Sequence, residues 1–427
     1  MDHFIYTEQG SLLCDGVPAT AIADAFGSPI YVYSASTLRH HVAALSRAFG
    51  DLRPEIHFAV KSLNNLHILA LLVREGCGMD VVSAGELERA LRAGCSPERI
   101  GFAGVGKSAE EIRSALRAGI AHLNAESLAE IEMIDSEARA LGVRAGVCVR
   151  VNPDVDARTH RYTTTGRDEN KFGVDPESAA VAFARYGDSP HLDMHGLHCH
   201  LGSPIFTTEP YVEAIARLLG LTQRLGDRVR VLNIGGGFGA DYVTGRTPSA
   251  EIYAKAIVPL LAPRVGAGLR VIIEPGRFIA ANAGILLTRL RRLKPGRSRT
   301  FAVCDAGMTA LIRPALYEAF HFIWPVECRG FVPVRREERP PLSGLEEIDI
   351  VGPVCESGDF LAQRRPLPPL SHDSLLAVFT AGAYAMTMSS TYNDQPRPAE
   401  VLVDAGHSRL IRPRQTINDL LAAESPL

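Results

Sequence analysis

The sequence predicts an α/β protein: a (β/α)8 barrel of the TIM type followed by a separate C-terminal all-β domain. Three observations predict it. Between about residues 30 and 280, short β-branched apolar runs alternate with longer stretches of helical period, as in repeated βα units around a parallel sheet. Eight of these runs read as strands, the count of a closed barrel, and the span matches the roughly 250 residues such a barrel occupies. After Ala281 the texture changes to strand-like runs with no helices between them.

In chain order, residues 1–30 carry a strand-like Phe4–Tyr6 and a turn near Gly10 that do not fit the barrel rhythm, and they are expected to pair with the β domain. The barrel, 31–280, has strand candidates Ile56–Val60, Met79–Val82, Arg99–Ala103, Ala121–Asn124, Gly146–Val151, Met194–Cys199, Arg230–Ile234 and Arg270–Glu274. Helical patterns such as Leu66–Arg74, Ala84–Ala93 and Ala109–Ala118 lie between them. A doubly wound open sheet is the rival architecture, and the strand count favours the barrel, whose chemistry belongs at the C-terminal strand ends. In the β domain, 281–427, the runs Ile285–Leu290, Thr300–Cys304, Leu375–Thr380 and Glu400–Val403 read as strands. Arg335–Gly344 reads as a charged loop, and the residues after Thr416 as a short terminal helix.

The 427 residues, 46% hydrophobic and 22% charged with net charge -3, offer no basic excess for nucleic acid or anionic membrane. No basic N-terminal region precedes an apolar stretch, and no run approaches the roughly 18 apolar residues of a membrane helix, so a cytoplasmic protein is expected. The eight cysteines include no C-x-x-C pair, which argues against a disulfide framework and a structural zinc site. Most are expected to be small buried apolar residues.

Four segments carry chemistry. Lys61 ends EIHFAVKS, at the carboxyl end of an apolar strand, where apolar walls would favour a neutral amine able to form a Schiff base; a solvated strand-end lysine is the plain alternative. HGLHCHLGS sets His195, His198 and His200 close together, with His198 and His200 expected on one strand face. No carboxylate or thiol set completes a ligand count at the expected spacing, so no metal is expected; a neutral imidazole lying on an aromatic cofactor and hydrogen-bonded core histidines both remain open. LNIGGGFGADY presents Gly235, Gly236 and Gly237 after a strand, open to a phosphate or simply a tight turn. RVIIEPGRF puts Glu274 at the end of the last barrel strand, with Arg277 beyond the turn. A carboxylate on a pyridine nitrogen would keep that ring protonated, while a surface salt bridge with Arg277 is the alternative.

These pieces, read together, resemble the fold-type III pyridoxal-phosphate decarboxylases. The likeness runs from GSPIYVYS through AVKSLNN, GMDVVSAGEL, RVNPDV, HRYTTTGRDENKFG, HGLHCHLGS, NIGGGFG, EPGRF, DAGMTALIRPALYEAFH, VGPVCESGD and GAYAM to YNDQPRPAEVLV, almost the whole chain. It implies pyridoxal 5'-phosphate as cofactor, with Lys61 joining its aldehyde, His200 stacking on its ring and Ser203 touching its phosphate. Asp80, Gly236, Gly237, Glu274, Gly276 and Arg277 would complete the cofactor site, and Tyr384 would reach phosphate or substrate. Cys355 would be the acid that returns a proton after carbon dioxide leaves, delivered by the neighbouring subunit of a homodimer with composite active sites. Arg277, Arg313 and Tyr317 would hold substrate carboxylate, and Glu356 the distal amino group. A substrate with both a cation and a carboxylate at its far end is diaminopimelate, so the resemblance implies decarboxylation of meso-2,6-diaminopimelate to L-lysine. A related decarboxylase of another basic amino acid or carboxy-polyamine is the alternative, ahead of a non-catalytic pyridoxal-phosphate-binding homologue. A racemase of the same barrel type resembles a pattern with arginine at the pyridine nitrogen, where Glu274 stands here. Small departures are Pro204, Ala385 and Ala84.

Overall fold

The structure, a computed structural model, describes residues 2–157, 165–166 and 170–425. His160–Thr164 and Arg167–Glu169 of the HRYTTTGRDENKFG motif lie outside the described residues. The chain divides into two compact units, one of residues 41–239 and 248–278, the other of residues 1–40, 240–247 and 279–427.

The first unit is a closed barrel of parallel strands, Glu55–Ala59, Gly78–Val81, Ile100–Phe102, His122–Ala125, Ala145–Arg150, Leu192–His198, Val231–Asn233 and Arg270–Ile273, each paired with its sequence neighbours and the last with the first. Local sequence starts and stops the helices between them. Ser83, Ser108 and Ser127 each cap a helix by accepting the backbone N–H three residues on, from Glu86, Glu111 and Glu130, so Ser-x-x-Glu fixes three entry points. Gly119 and Gly142 end two of these helices in the left-handed conformation that only glycine adopts without strain. Strand bounds sit within two residues of those expected, and helices Leu66–Arg74 and Ala109–Ala118 coincide with their patterns.

The second unit centres on a nine-stranded mixed sheet. Its path runs Phe360–Leu367, Glu346–Val351, Thr300–Cys304, Gly284–Pro295, Ile30–Ser34, Ala399–Asp404, His407–Arg412, with Leu375–Val378 and Ile323–Pro325 attached beside it. Ile30–Ser34, all five residues buried, lies in this sheet and not in the barrel, which moves the first boundary past residue 30. Phe4–Tyr6 joins a three-stranded sheet of its own, from which Leu12 N–H donates to Val326 O over 2.9 Å. Thr416 caps the terminal helix Ile417–Leu421. Among the described residues, no helix is long and apolar enough to cross a membrane.

Candidate active site

The C-terminal ends of the barrel strands gather the polar residues. The first strand stops at Ala59, and Lys61 sits on the turn Val60–Ser62 just past it. Its Nζ donates to Asp80 Oδ2 over 2.5 Å, from a side chain 33% exposed to a carboxylate only 1% exposed. Burial, with nearby Glu274, raises the Asp80 carboxyl, and Lys61 pulls in the opposite direction. Oδ1 of Asp80 is buried with no hydrogen-bond partner.

Glu274 lies just beyond the last strand, 5% exposed. Asn233 Nδ2 donates to its Oε1 over 2.6 Å, and His198 Nε2 lies 3.2 Å from its Oε2. Burial alone would raise this carboxyl, yet His198 and then Lys61 draw it well below the usual carboxylate range, so Glu274 is ionised inside the barrel. Both Glu274 and Arg277 are buried, so a surface salt bridge does not describe them.

The strand Leu192–His198 ends before His200, so strand alternation does not put His198 and His200 on one face. His200 Nδ1 instead accepts the Gly236 N–H over 3.2 Å, and burial with neighbouring cations pushes its imidazole down to about 3, leaving the ring neutral. A Cβ on Gly236 would stand 2.3 Å from Glu274 O, and Gly237 adopts φ +99 with its would-be Cβ 2.6 Å from Gly202 O; no other residue fits this turn. Arg277 Nε donates to Ser203 Oγ over 3.0 Å, and a Cβ on Gly276 would press on Ser62 and Ala59.

The sheet unit carries the remaining expected residues. Arg313, 6% exposed, opens the helix Arg313–Tyr317, with its guanidinium 5.4 Å from the Tyr242 ring and 5.8 Å from the Tyr317 ring. Tyr384 holds a left-handed φ of 54, strain at a bulky residue. Cys355 is exposed whereas the other seven cysteines are buried. Its backbone N–H donates to Asn393 Oδ1, and Glu356 accepts the Tyr392 hydroxyl over 3.2 Å. Asp359, buried, pins this loop by accepting the N–H groups of Met308 and Val354, each over 2.6 Å.

Several contributors escaped the sequence reading. Asn233 stands beside the glycine run that drew attention, and only the fold reveals its bond to Glu274. Tyr211 and Tyr253 brace the glycine turn from beneath, Tyr211 donating to Gly236 O over 3.0 Å and Tyr253 to Ile205 O over 2.5 Å. Glu86, whose carboxyl burial pushes up to about 7, accepts the Val82 N–H. The Ser-x-x-Glu helix start at Ser83 was the available signal for it.

A lysine paired with a buried aspartate, a carboxylate kept charged in a barrel core and a glycine turn closed against it stand together at the C-terminal end of the barrel. Residues 35–281 match the family model "Pyridoxal-dependent decarboxylase, pyridoxal binding domain". By that match, with the relatives that follow, the chain belongs to the pyridoxal-dependent decarboxylases and, among them, to the diaminopimelate decarboxylases. It is 44% identical to the diaminopimelate decarboxylase of Pseudomonas aeruginosa and 43% identical to that of Vibrio cholerae, in both cases over 100% of each chain. The solved diaminopimelate decarboxylase from M. jannaschii in complex with L-lysine superposes with a TM-score of 0.91 at 31% identity, over 100% of this chain and 99% of that one.

Proposed function

We propose that this chain removes one carboxyl group from meso-2,6-diaminopimelate, releasing L-lysine and carbon dioxide, with pyridoxal 5'-phosphate as cofactor and as a homodimer with composite active sites. The observation that carries the reading is Glu274, a carboxylate held ionised in the barrel core by His198 and Asn233. The residues fit the cofactor on further grounds. Asp80 keeps a buried oxygen without a partner, and the Gly236–Gly237 turn is a cradle that a Cβ would fill.

When bound, pyridoxal 5'-phosphate supplies an aldehyde for an amine and a pyridine ring that accepts the electron pair left by the departing carboxyl. Glu274, ionised, would keep a proton on the ring nitrogen. His200, neutral, would offer its flat face to the ring. Lys61, its Nζ steadied by Asp80, would be the amine that holds the aldehyde. Ser203, Gly236, Gly237, Gly276 and Arg277 would hold the phosphate side, with Tyr384. Arg313 and Tyr317 bind the distal carboxylate, which the buried guanidinium meets with fixed charge and planar donors. Glu356 binds the distal ammonium, and Cys355 gives a proton to the carbon that has lost its carboxyl. The resemblance to the decarboxylase family is the ground for the homodimer, and the exposure of Cys355 on a loop held by Asp359 agrees with a group supplied to a partner's site.

The test is carbon dioxide release and product identity from purified protein with pyridoxal 5'-phosphate, comparing meso-diaminopimelate with L-lysine, L-ornithine and carboxynorspermidine. Consumption of diaminopimelate alone, giving lysine, is expected; turnover of another substrate alone overturns the roles of Arg313 and Glu356. Mixing inactive Lys61→Ala and Cys355→Ala chains tests the composite site, since shared dimers regain activity only if the two residues act across subunits.

A further inference from the structure

The opposite, N-terminal half of the barrel interior contains a second polar cluster that the decarboxylation does not use. TIM-type barrels fill this layer with branched apolar side chains. Here three imidazoles and a thiol fill it. His57 and His122 stack with ring centroids 6.2 Å apart, His122 meets His195 edge-on at 5.8 Å, and Cys148 Sγ lies 3.7 Å from His195 Nε2. His122 is 2% exposed, Cys148 0% and His195 8%.

The backbone is cut to make room for them. A Cβ on Gly78 would stand 2.6 Å from the His57 ring, on Gly101 2.8 Å from His122 Nε2, on Gly146 3.1 Å from the His195 ring, and on Gly196 2.6 Å from Cys148 Sγ. At Gly101 and Gly196 the cluster side chain is the nearest obstacle to a Cβ, whereas at Gly78 and Gly146 the carbonyls of Arg99 and Ala121 are nearer still.

Hydrogen bonding accounts for only part of the cluster, through the Cys148 Sγ to His195 Nε2 bond of 3.7 Å. Buried polar atoms are nearly always paired, yet His122 Nε2 and His57 Nδ1 have no partner. His195 is the exception that points to a ligand. Its Nδ1 donates to the Asp193 carbonyl over 3.0 Å and lies 3.3 Å from the Asp193 carboxylate, which leaves the Nε2 lone pair to accept from the Cys148 thiol, a proton that a metal ion would replace. A carboxylate behind one ring nitrogen is the outer-shell arrangement that orients metal-bound histidine. One ligand atom from each of His122, Cys148 and His195 lies within 4.8 Å of the other two. Ligands about 2.0–2.3 Å from a tetrahedral ion stand roughly 3.3–3.8 Å apart, so the widest of these separations has to close by about 1 Å on binding.

We propose that His122, Cys148 and His195 form a binding site for a zinc-class divalent cation in the lower half of the barrel, separate from the decarboxylation site. Two imidazoles and a thiolate are the donor set that such borderline ions prefer. Burial lowers both imidazoles into the neutral form a metal needs, and it pushes the Cys148 thiol well up, so an ion has to displace the thiol proton as it binds. The sequence reading sets metal aside because it weighs His195 only with His198 and His200; the barrel joins His195 instead to residues on two neighbouring strands.

The experiment uses the holoenzyme, stripped by chelator and titrated with Co2+ alone, read in the visible region to the red of cofactor absorption and by metal analysis after desalting. One Co2+ per chain with tetrahedral d–d bands and sulfur-to-cobalt charge transfer is expected. Cys148→Ser should lose the charge transfer, and Asp193→Asn should weaken binding roughly 10- to 100-fold with turnover unchanged. Should Cys148→Ser fail to fold, His195→Asn carries the same expectation of lost binding. Wild-type protein that takes up no stoichiometric Co2+ overturns the proposal. So does charge transfer that persists in folded Cys148→Ser, because the metal then sits on another thiol.

Discussion

The two ends of the barrel interior show opposite treatments of buried polarity. At the C-terminal end, charges stand in sequence-remote partnership: Lys61 with Asp80, and Glu274 with His198 and Asn233. At the N-terminal end the side chains are imidazoles and a thiol, and several of their polar atoms have no hydrogen-bond partner. The same strands build both layers, so the difference resides in single residues and not in architecture. A buried charge is tolerated where opposite charge and hydrogen bonds surround it, and a neutral polar group left without a partner costs less than a charge but still costs.

The sharpest break in that comparison is Lys61→Ala. Decarboxylation should be lost in a carbon dioxide assay, and the buried Asp80, deprived of its cation, should take up a proton at higher pH than in the wild type. Glu274→Gln keeps an acceptor for Asn233 and removes the charge; a fall in kcat of roughly 10²- to 10³-fold is expected, with little change in Tm. A fall of less than tenfold would mean that charge at this position is dispensable. In the lower layer Gly101→Ala adds one methyl 2.8 Å from His122 Nε2, and should cost about 1–3 kcal/mol in urea unfolding while kcat stays within about twofold.

The smallest effect is in pH. His200 has a folded value near 3, below its ordinary value of about 6.5, so the unfolded chain binds a proton between those limits that the folded chain refuses. Stability is therefore full above about 6.5 and falls on acidification toward 3, by at most about 1.4 kcal/mol per pH unit and less because the ring is partly exposed to solvent. Thermal melts from pH 7 to 5 should show this slope, and His200→Gln should flatten it. An unchanged slope would mean that His200 is protonated in the folded protein.

Much of this was legible in sequence because local rules dominate it. Alternating runs gave every barrel strand within two residues, and the helical patterns from Leu66, Ala84 and Ala109 started where the helices start. Lys61, the glycine turn and Glu274 announced themselves by ending apolar strands. What stayed hidden depends on which side chains meet across the barrel. Glu274 meets His198 from a different strand, and Cys148 meets His195 from an adjacent one, pairs that no spacing along the chain encodes. The expected shared face of His198 and His200 failed because the strand stops at His198. Arg313 reads as a surface arginine in isolation, and the rings of Tyr242 and Tyr317 are what let it be buried.

The central strand Ile30–Ser34 pairs with Gly284–Pro295 on one side and Ala399–Asp404 on the other. Both partners are made only after the whole barrel. At ribosomal rates of about 5–20 residues per second, this fully buried, largely apolar strand waits on the order of ten seconds or more with both edges open. The barrel, whose strands join sequence neighbours, can close first and the sheet is completed last. During that interval the nascent chain presents an unpaired sticky edge, so expression yield should respond to chaperone supply more strongly than the stability of the finished enzyme would suggest.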